Sequence, residues 1–263
     1  MKDKPLHELE RIISDKTSGS TDLVLKLNKW VKKHSGDSPL VNEMIKRVEK
    51  ELKSFAVIDN YLKNIKRINS KKDLIAIQNF TNDFEEKLKE KYYHLFLNVR
   101  KEISNTNTVL TISNSKTLRE VFTLWGNEEK NLKVIIAESR PNYEGRLLAK
   151  ALLKNKLNVE LITDAMLSLF IPKADAVIIG ADKILANGNV INKIGSLSGA
   201  ILCKYYKKPF YVLVTKDKFT NKGKWKSEEM DYKEVWKYAH PNLKITNIYF
   251  EEIDRRLITK IIS

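Results

Sequence analysis

Residues 180–195, GADKILANGNVINKIG, bring an acid, an amide and an amine within reach of one small ligand. Asp182 follows a Gly-Ala turn after the apolar run 176–179, and Asn192 and Lys193 come just before Gly195. A buried strand that ends at an acid, with an amide and an ammonium on the turns beyond it, is the layout of a small-ligand site. A phosphate-sized anion would sit beside Asn192 and Lys193.

Elements of alternating type must position these groups. From about residue 106 onward, β-rich runs at 109–112, 134–137, 159–162, 176–179 and 210–214 are separated by helix-length intervals. That rhythm indicates a parallel sheet wrapped by helices. With right-handed crossovers it becomes a doubly wound α/β domain whose ligands bind beyond the carboxyl ends of the strands. Ser113, Glu138 and Asp182 fall at or just after such ends, so three polar positions far apart in sequence are expected to converge on one crevice.

Residues 1–105 read differently. Glycines are few, and apolar residues recur at three- and four-residue spacing, as in Ile45, Val48, Leu52 and Phe55, or Phe84, Leu88, Tyr92, Leu95 and Val99. Ser38-Pro39 reads as a cap with proline in the first turn, and Ser70 with Asp73 as a capping box. The expected organisation is a helical N-terminal domain over 1–105 and a mostly parallel, Rossmann-like α/β domain over 106–263 that binds ligand.

The chain has 263 residues, 42% of them apolar, enough for a substantial core. Its 48 Lys plus Arg against 33 Asp plus Glu give a net charge of +15, compatible with nucleic acid, an acidic protein or a phosphorylated metabolite. The lysines are dispersed among acids along helical stretches, the pattern of a solvated mixed-charge surface, and neither an aromatic platform nor a known RNA module stands out. A lysine-rich stretch at 216–226, broken by Gly223, reads as a mobile basic loop able to close over an anion.

The single cysteine, Cys203, excludes an internal disulfide and a cysteine-based zinc site and fits a reducing compartment. His7, His34, His94 and His240 form no metal-binding pattern, so neither metal nor cofactor is expected. No signal peptide opens the sequence and no apolar run reaches the length of about 18 residues needed to cross a bilayer, so a cytoplasmic protein is expected. GxGxxG and GxxxxGK[ST] are both missing. GSLSG at 195–199 carries Leu197 where a nucleophile elbow needs serine, and it reads as a small-residue helix start on the sheet.

Five ordered motifs, TISNSKT at 111–117, ESRPNYEGR at 138–146, TDAM at 163–166, the segment 180–195 and PFYVLVTKDKF at 209–219, resemble one family. It is that of the alpha, beta and delta subunits of translation initiation factor 2B, with the related ribose-1,5-bisphosphate and methylthioribose-1-phosphate isomerases. In the isomerases, the resemblance implies, a cysteine after the first strand and the aspartate of the GAD motif serve as acid and base. Here Asp182 is the aspartate, and Ser113 stands at the cysteine position. A thiol can be tuned to ionise near neutral pH, whereas a serine hydroxyl needs an adjacent strong base.

The resemblance also implies phosphate cradles at Ser18, Gly19 and Ser20 and at Ser115, Lys116 and Thr117, with Asn192, Lys193 and Lys218 touching the sugar or its phosphate. Arg140 and Arg146 either line the crevice or form a salt-bridged turn, Arg146 pairing with an acid such as Glu138. Two functions remain open: a regulatory or assembly protein that binds a sugar phosphate or nucleotide, and an aldose-ketose isomerase. By the same resemblance a homodimer formed mainly through the dimerisation domain over 106–263, or a higher homo-oligomer, is expected, together with contact to the alpha subunit of initiation factor 2.

Overall fold

The computed structural model describes residues 3–15, 18–52, 55–221 and 223–263. The chain divides into two compact units, Met1–Tyr92 and Tyr93–Ser263. The division falls inside one long helix, whereas the change of sequence rhythm near residue 106 marks the first strand.

The first unit contains helices α1 (Asp3–Ile13), α2 (Ser20–His34), α3 (Ser38–Glu51), α4 (Ala56–Asn69) and the start of α5 (Leu74–Glu102). Their apolar stripes meet in one core that includes Leu27, Trp30, Met44, Val48, Ile58 and Leu62. Two caps differ from the sequence expectation by a residue or more. Asp37, not Ser38, caps α3 by accepting from Leu40 N–H at 2.9 Å, which puts Pro39 inside the first turn. Ser70 ends α4, and Asp73 alone caps α5 through Ala76 N–H at 2.9 Å. A carboxylate takes these positions because its oxygen reaches the third N–H beyond it.

The second unit is a six-stranded sheet in the order β3-β2-β1-β4-β7-β9 and a small three-stranded sheet, β5-β6-β8. The strands are β1 (Thr108–Ile112), β2 (Lys133–Ala137), β3 (Asn158–Ile162), β4 (Ala176–Ile179), β5 (Lys183–Ile184), β6 (Val190–Lys193), β7 (Phe210–Leu213), β8 (Phe250–Ile253) and β9 (Lys260–Ile262). Every pairing in the larger sheet is parallel. The helices are α6 (Lys116–Glu128), α7 (Glu144–Lys154), the short α8 (Leu167–Phe170) and α9 (Ser196–Tyr206).

Alternation along each strand feeds two cores, one per face. Val109, Val134, Ile136 and Ile178 pack with Phe96, Val99, Phe122 and Trp125 of α5 and α6. Leu110, Ile112, Ile135 and Val177 pack with Leu167, Ala200 and Cys203 of α8 and α9. A strand buried on both faces must be apolar at consecutive positions, hence the unbroken runs in the sequence. β9 and the small sheet are not legible there, because their strands are short and β8 and β9 join partners far back along the chain. Among the described residues, no helix is long and apolar enough to cross a membrane.

Candidate functional site

The sheet order reverses direction at β1: β2 and β3 lie on one side of it, β4, β7 and β9 on the other. The loops leaving β1 and β4 therefore part to opposite sides at a topological switch point, the usual ligand crevice of a doubly wound sheet. Ser113 follows β1, and Gly180, Ala181 and Asp182 follow β4. The two loops touch, since a Cβ placed on Gly180 would lie 2.6 Å from Ser115 Oγ. Only glycine allows that approach without displacing the serine.

Ser113 closes β1 in the left-handed region, at φ 71°, and its N–H donates to Ser139 Oγ at 2.7 Å. Ser115 caps α6, its hydroxyl accepting from Leu118 N–H at 3.5 Å, and Lys116 opens the helix with its ammonium 2.6 Å from Glu120. Asn114 Oδ1 and Thr117 Oγ1 are buried with no hydrogen-bond partner among the described residues. Unmet polar atoms at a switch point are what a hydroxyl-bearing ligand or ordered water would satisfy.

The loop after β2 is held by Asp164, whose two oxygens accept from Ser139 N–H at 2.8 Å and Arg140 N–H at 2.7 Å. The Arg140–Pro141 peptide is cis. Arg140 donates to Tyr143 Oη and to Val235 O, the latter at 3.1 Å, while Arg146 pairs with Glu138 at 2.6 Å and lies 3.9 Å over the Tyr143 ring. Both guanidinium groups are thus engaged in shaping this loop. Gly145 lets α7 start hard against β2, since a Cβ there would lie 2.0 Å from Ala137 O.

Asn192 and Lys193 sit on strand β6 rather than on turns as the sequence suggested, because β6 pairs with β5 on one side and β8 on the other. Asp182 is partly exposed just before β5, and its N–H donates to Ile191 O at 2.8 Å. The Asn192 amide donates to Ser196 Oγ at 2.9 Å. Lys193 is buried, with its ammonium 2.6 Å from Glu144 Oε1 and 4.6 Å from the centre of the Tyr249 ring. Lys218 is also buried and donates to Ala181 O, so it does not belong to the mobile loop expected over 216–226, of which Lys222 lies outside the described residues.

The N-terminus of α9 begins at Gly195, whose φ of 97° suits glycine alone, and it is occupied. Glu251 of β8 accepts from Leu197 N–H at 2.8 Å and also from the backbone of Gly195 and Ser196. Burial raises the Glu251 carboxyl above its ordinary range, against the pull of these three donors. An anion beside Asn192 and Lys193 would therefore have to bind elsewhere than at this helix end. Tyr249 is pushed up as well, first by burial and then by Glu234, to which its hydroxyl donates; it also accepts from Asn142 at 2.7 Å.

In the first unit, Gly19 precedes α2 in an extended conformation and Ser20 is the first, buried residue of the helix. The Ser18 N–H and hydroxyl donate to Asp15 at 3.0 and 2.7 Å, and Lys26 donates to Ser18 Oγ at 2.9 Å. A serine, a carboxylate and a lysine therefore frame the start of α2. Among the described residues there is no cluster of three His, Cys, Asp or Glu that could hold a metal ion.

Sequence reasoning singled out neither Glu144 nor Glu251 nor Tyr249. Glu144 lies within the ESRPNYEGR motif, where its place at a helix start is readable but its partnership with Lys193 is not.

The model of the initiation factor 2 subunit family matches residues 4–263. The chain belongs to this family. It is 35% identical over 161 residues to a protein of Pyrococcus furiosus named putative translation initiation factor eIF-2B subunit 2-like, covering 61% of this chain and 57% of that one. It is also 35% identical over 169 residues to the ribose 1,5-bisphosphate isomerase of Archaeoglobus fulgidus, covering 62% and 54%. The matches span a little over half the length of these relatives. The crystal structure of a Pyrococcus horikoshii translation initiation factor eIF-2B superposes with a TM-score of 0.81 at 26% identity, covering 98% of this chain and 94% of that one. The family thus holds proteins named for translation and proteins named for sugar-phosphate chemistry.

Proposed function

We propose that this member of the initiation factor 2 subunit family binds a phosphorylated sugar or nucleotide at the carboxyl end of the six-stranded sheet, in a regulatory or assembly role linked to translation initiation. The observation that carries the reading is Ser113. It occupies the position at which the family resemblance puts the isomerase cysteine, and among the described residues its hydroxyl has no hydrogen-bond partner to act as base. A serine with an ordinary alcohol acidity is a poor proton donor and a worse anion at neutral pH.

In this reading Ser115, Lys116, Thr117, Asn192, Lys193 and Lys218 line or support the ligand site of the second unit, and Ser18, Gly19 and Ser20 are a phosphate cradle of the first unit. The protein works in the cytoplasm as a homodimer or higher homo-oligomer through its α/β unit and meets the alpha subunit of initiation factor 2.

A second reading has an observation of its own. Asp182 is retained, and the identity to the named isomerase equals that to the named initiation-factor relative. An aldose-ketose isomerase would use Asp182 with Ser113 or a bound water.

Turnover of ribose 1,5-bisphosphate followed by NMR separates the two. The binding reading expects ligand-induced thermal stabilisation with no ketose formed by the natural protein. Conversion that disappears in Asp182→Asn would establish the isomerase and remove the regulatory reading. Absence of both conversion and stabilisation, for this ligand and for nucleoside monophosphates, would remove both.

A further inference from the structure

Trp236 and Tyr238 stack on one another with ring centroids 4.8 Å apart and planes inclined by 25°. Both are about half exposed, Trp236 at 57% and Tyr238 at 49%. Each ring covers one face of the other, and the exposure that remains leaves aromatic surface on which a nucleic-acid base can stack without sequence preference.

The backbone beneath the platform is fixed. Val235 O accepts from Arg140 at 3.1 Å, and Val235 N–H and Trp236 N–H donate to Tyr232 O at 3.0 and 3.2 Å. Next to it, Glu234 is held by Tyr249 Oη and by Asn247 Nδ2, the latter at 3.1 Å. Rings presented on such a frame lose little freedom on binding.

The segment that carries the two rings is rich in lysine. Lys224, Lys226, Lys233, Lys237 and Lys244 are exposed, and among the described residues none is in an ion pair. Of the acids in the same segment, Asp231 caps a turn at Lys233 N–H and Glu234 is engaged as described, while Glu228 and Glu229 precede the platform in sequence. The net charge of +15 adds a long-range field that attracts polyanions.

We propose that the Trp236–Tyr238 platform and its lysines bind single-stranded nucleic acid, bases stacking on the rings and phosphates meeting the ammonium groups. The site is independent of the small-ligand reading and does not require it. Unpaired bases are needed because a duplex hides its base faces, whereas lysines alone would not discriminate.

Fluorescence anisotropy with a labelled oligouridylate and an RNA duplex of equal length tests this on the full chain. The expected result is preference for the single strand, with log K falling against log salt at a slope of about −2 to −3, as three or four phosphate contacts give. Trp236→Ala should weaken single-strand binding about tenfold, and Trp236→Phe should restore most of it. Lys233→Gln with Lys237→Gln should lower the slope by about 1.4. Circular dichroism melting confirms that each variant is folded. Equal binding of duplex, indifference to Trp236→Ala in a folded variant, or no binding at low salt would overturn the proposal. So would a protein partner whose binding masks the platform while the oligomer fails to compete.

Discussion

The Lys193 ammonium and the Glu144 carboxylate form a buried ion pair at 2.6 Å that ties strand β6 to the first turn of α7. The side chains are only 5% and 11% exposed, and Glu144 Oε2 has no further partner among the described residues. Removing one charge leaves the other buried and uncompensated. Lys193→Met is therefore expected to destabilise the fold by about 3–5 kcal/mol. Adding Glu144→Leu should recover most of that loss, because a packed apolar pair avoids the desolvation cost. Denaturant melts of the two singles and the double give the coupling, and additive losses would show that the pair is not a unit.

Gly180 and Ser115 bind the loops of β4 and β1 at the switch point. Gly180→Ala should push the Ser115 side chain out of its capping position, costing about 1–3 kcal/mol as overpacking does. Affinity for a sugar phosphate should fall more than stability does. A variant with Ser115→Gly added relieves the clash, so recovered stability without recovered affinity would assign Ser115 to the ligand.

Glu251 satisfies the N-terminus of α9 from a distant strand. Glu251→Ala should cost about 1–2 kcal/mol through lost capping, while Glu251→Gln keeps an acceptor and should cost less. The raised carboxyl fixes the sign of the pH dependence. Its stabilising contribution is full below the unfolded glutamate pKa and declines as pH rises through the higher folded value. Melting temperatures measured from acid to neutral pH should show this decline in the natural protein and not in Glu251→Gln.

His34 gives the opposite dependence in the first unit. Its ring lies 4.7 Å from Trp30, its Nε2 is buried without a partner, and burial first, then Lys33, lowers its pKa, opposed by Glu8 and Asp37. A depressed histidine favours the neutral form, so its contribution is full above about pH 6.5 and is lost as pH falls through the folded value. Acidification should therefore lower the stability of the natural protein more than that of His34→Gln. Equal acid sensitivity of the two would assign the effect to other groups.

The sequence by itself determined the class of fold, the positions of five parallel strands and the helical character of the first hundred residues. Apolar periodicity and unbroken strand runs are local consequences of burial on one face or on two. It also determined that Ser113, Glu138 and Asp182 follow strand ends. The structure buries Cys203, and burial pushes its thiol up to about 12, as suits a core residue and not a nucleophile. Only the tertiary structure decided the strand order, and with it the adjacency of the β1 and β4 loops. It alone assigned Lys193 to Glu144 and Glu251 to the end of α9, and it assembled the exposed Trp236–Tyr238 pair on a frame reaching back to Arg140, whereas the Arg146–Glu138 pair was already readable from their places around one turn. A side chain's type and spacing state what it can bond, but pairing depends on which distant segment the packed core brings within about 3 Å of it.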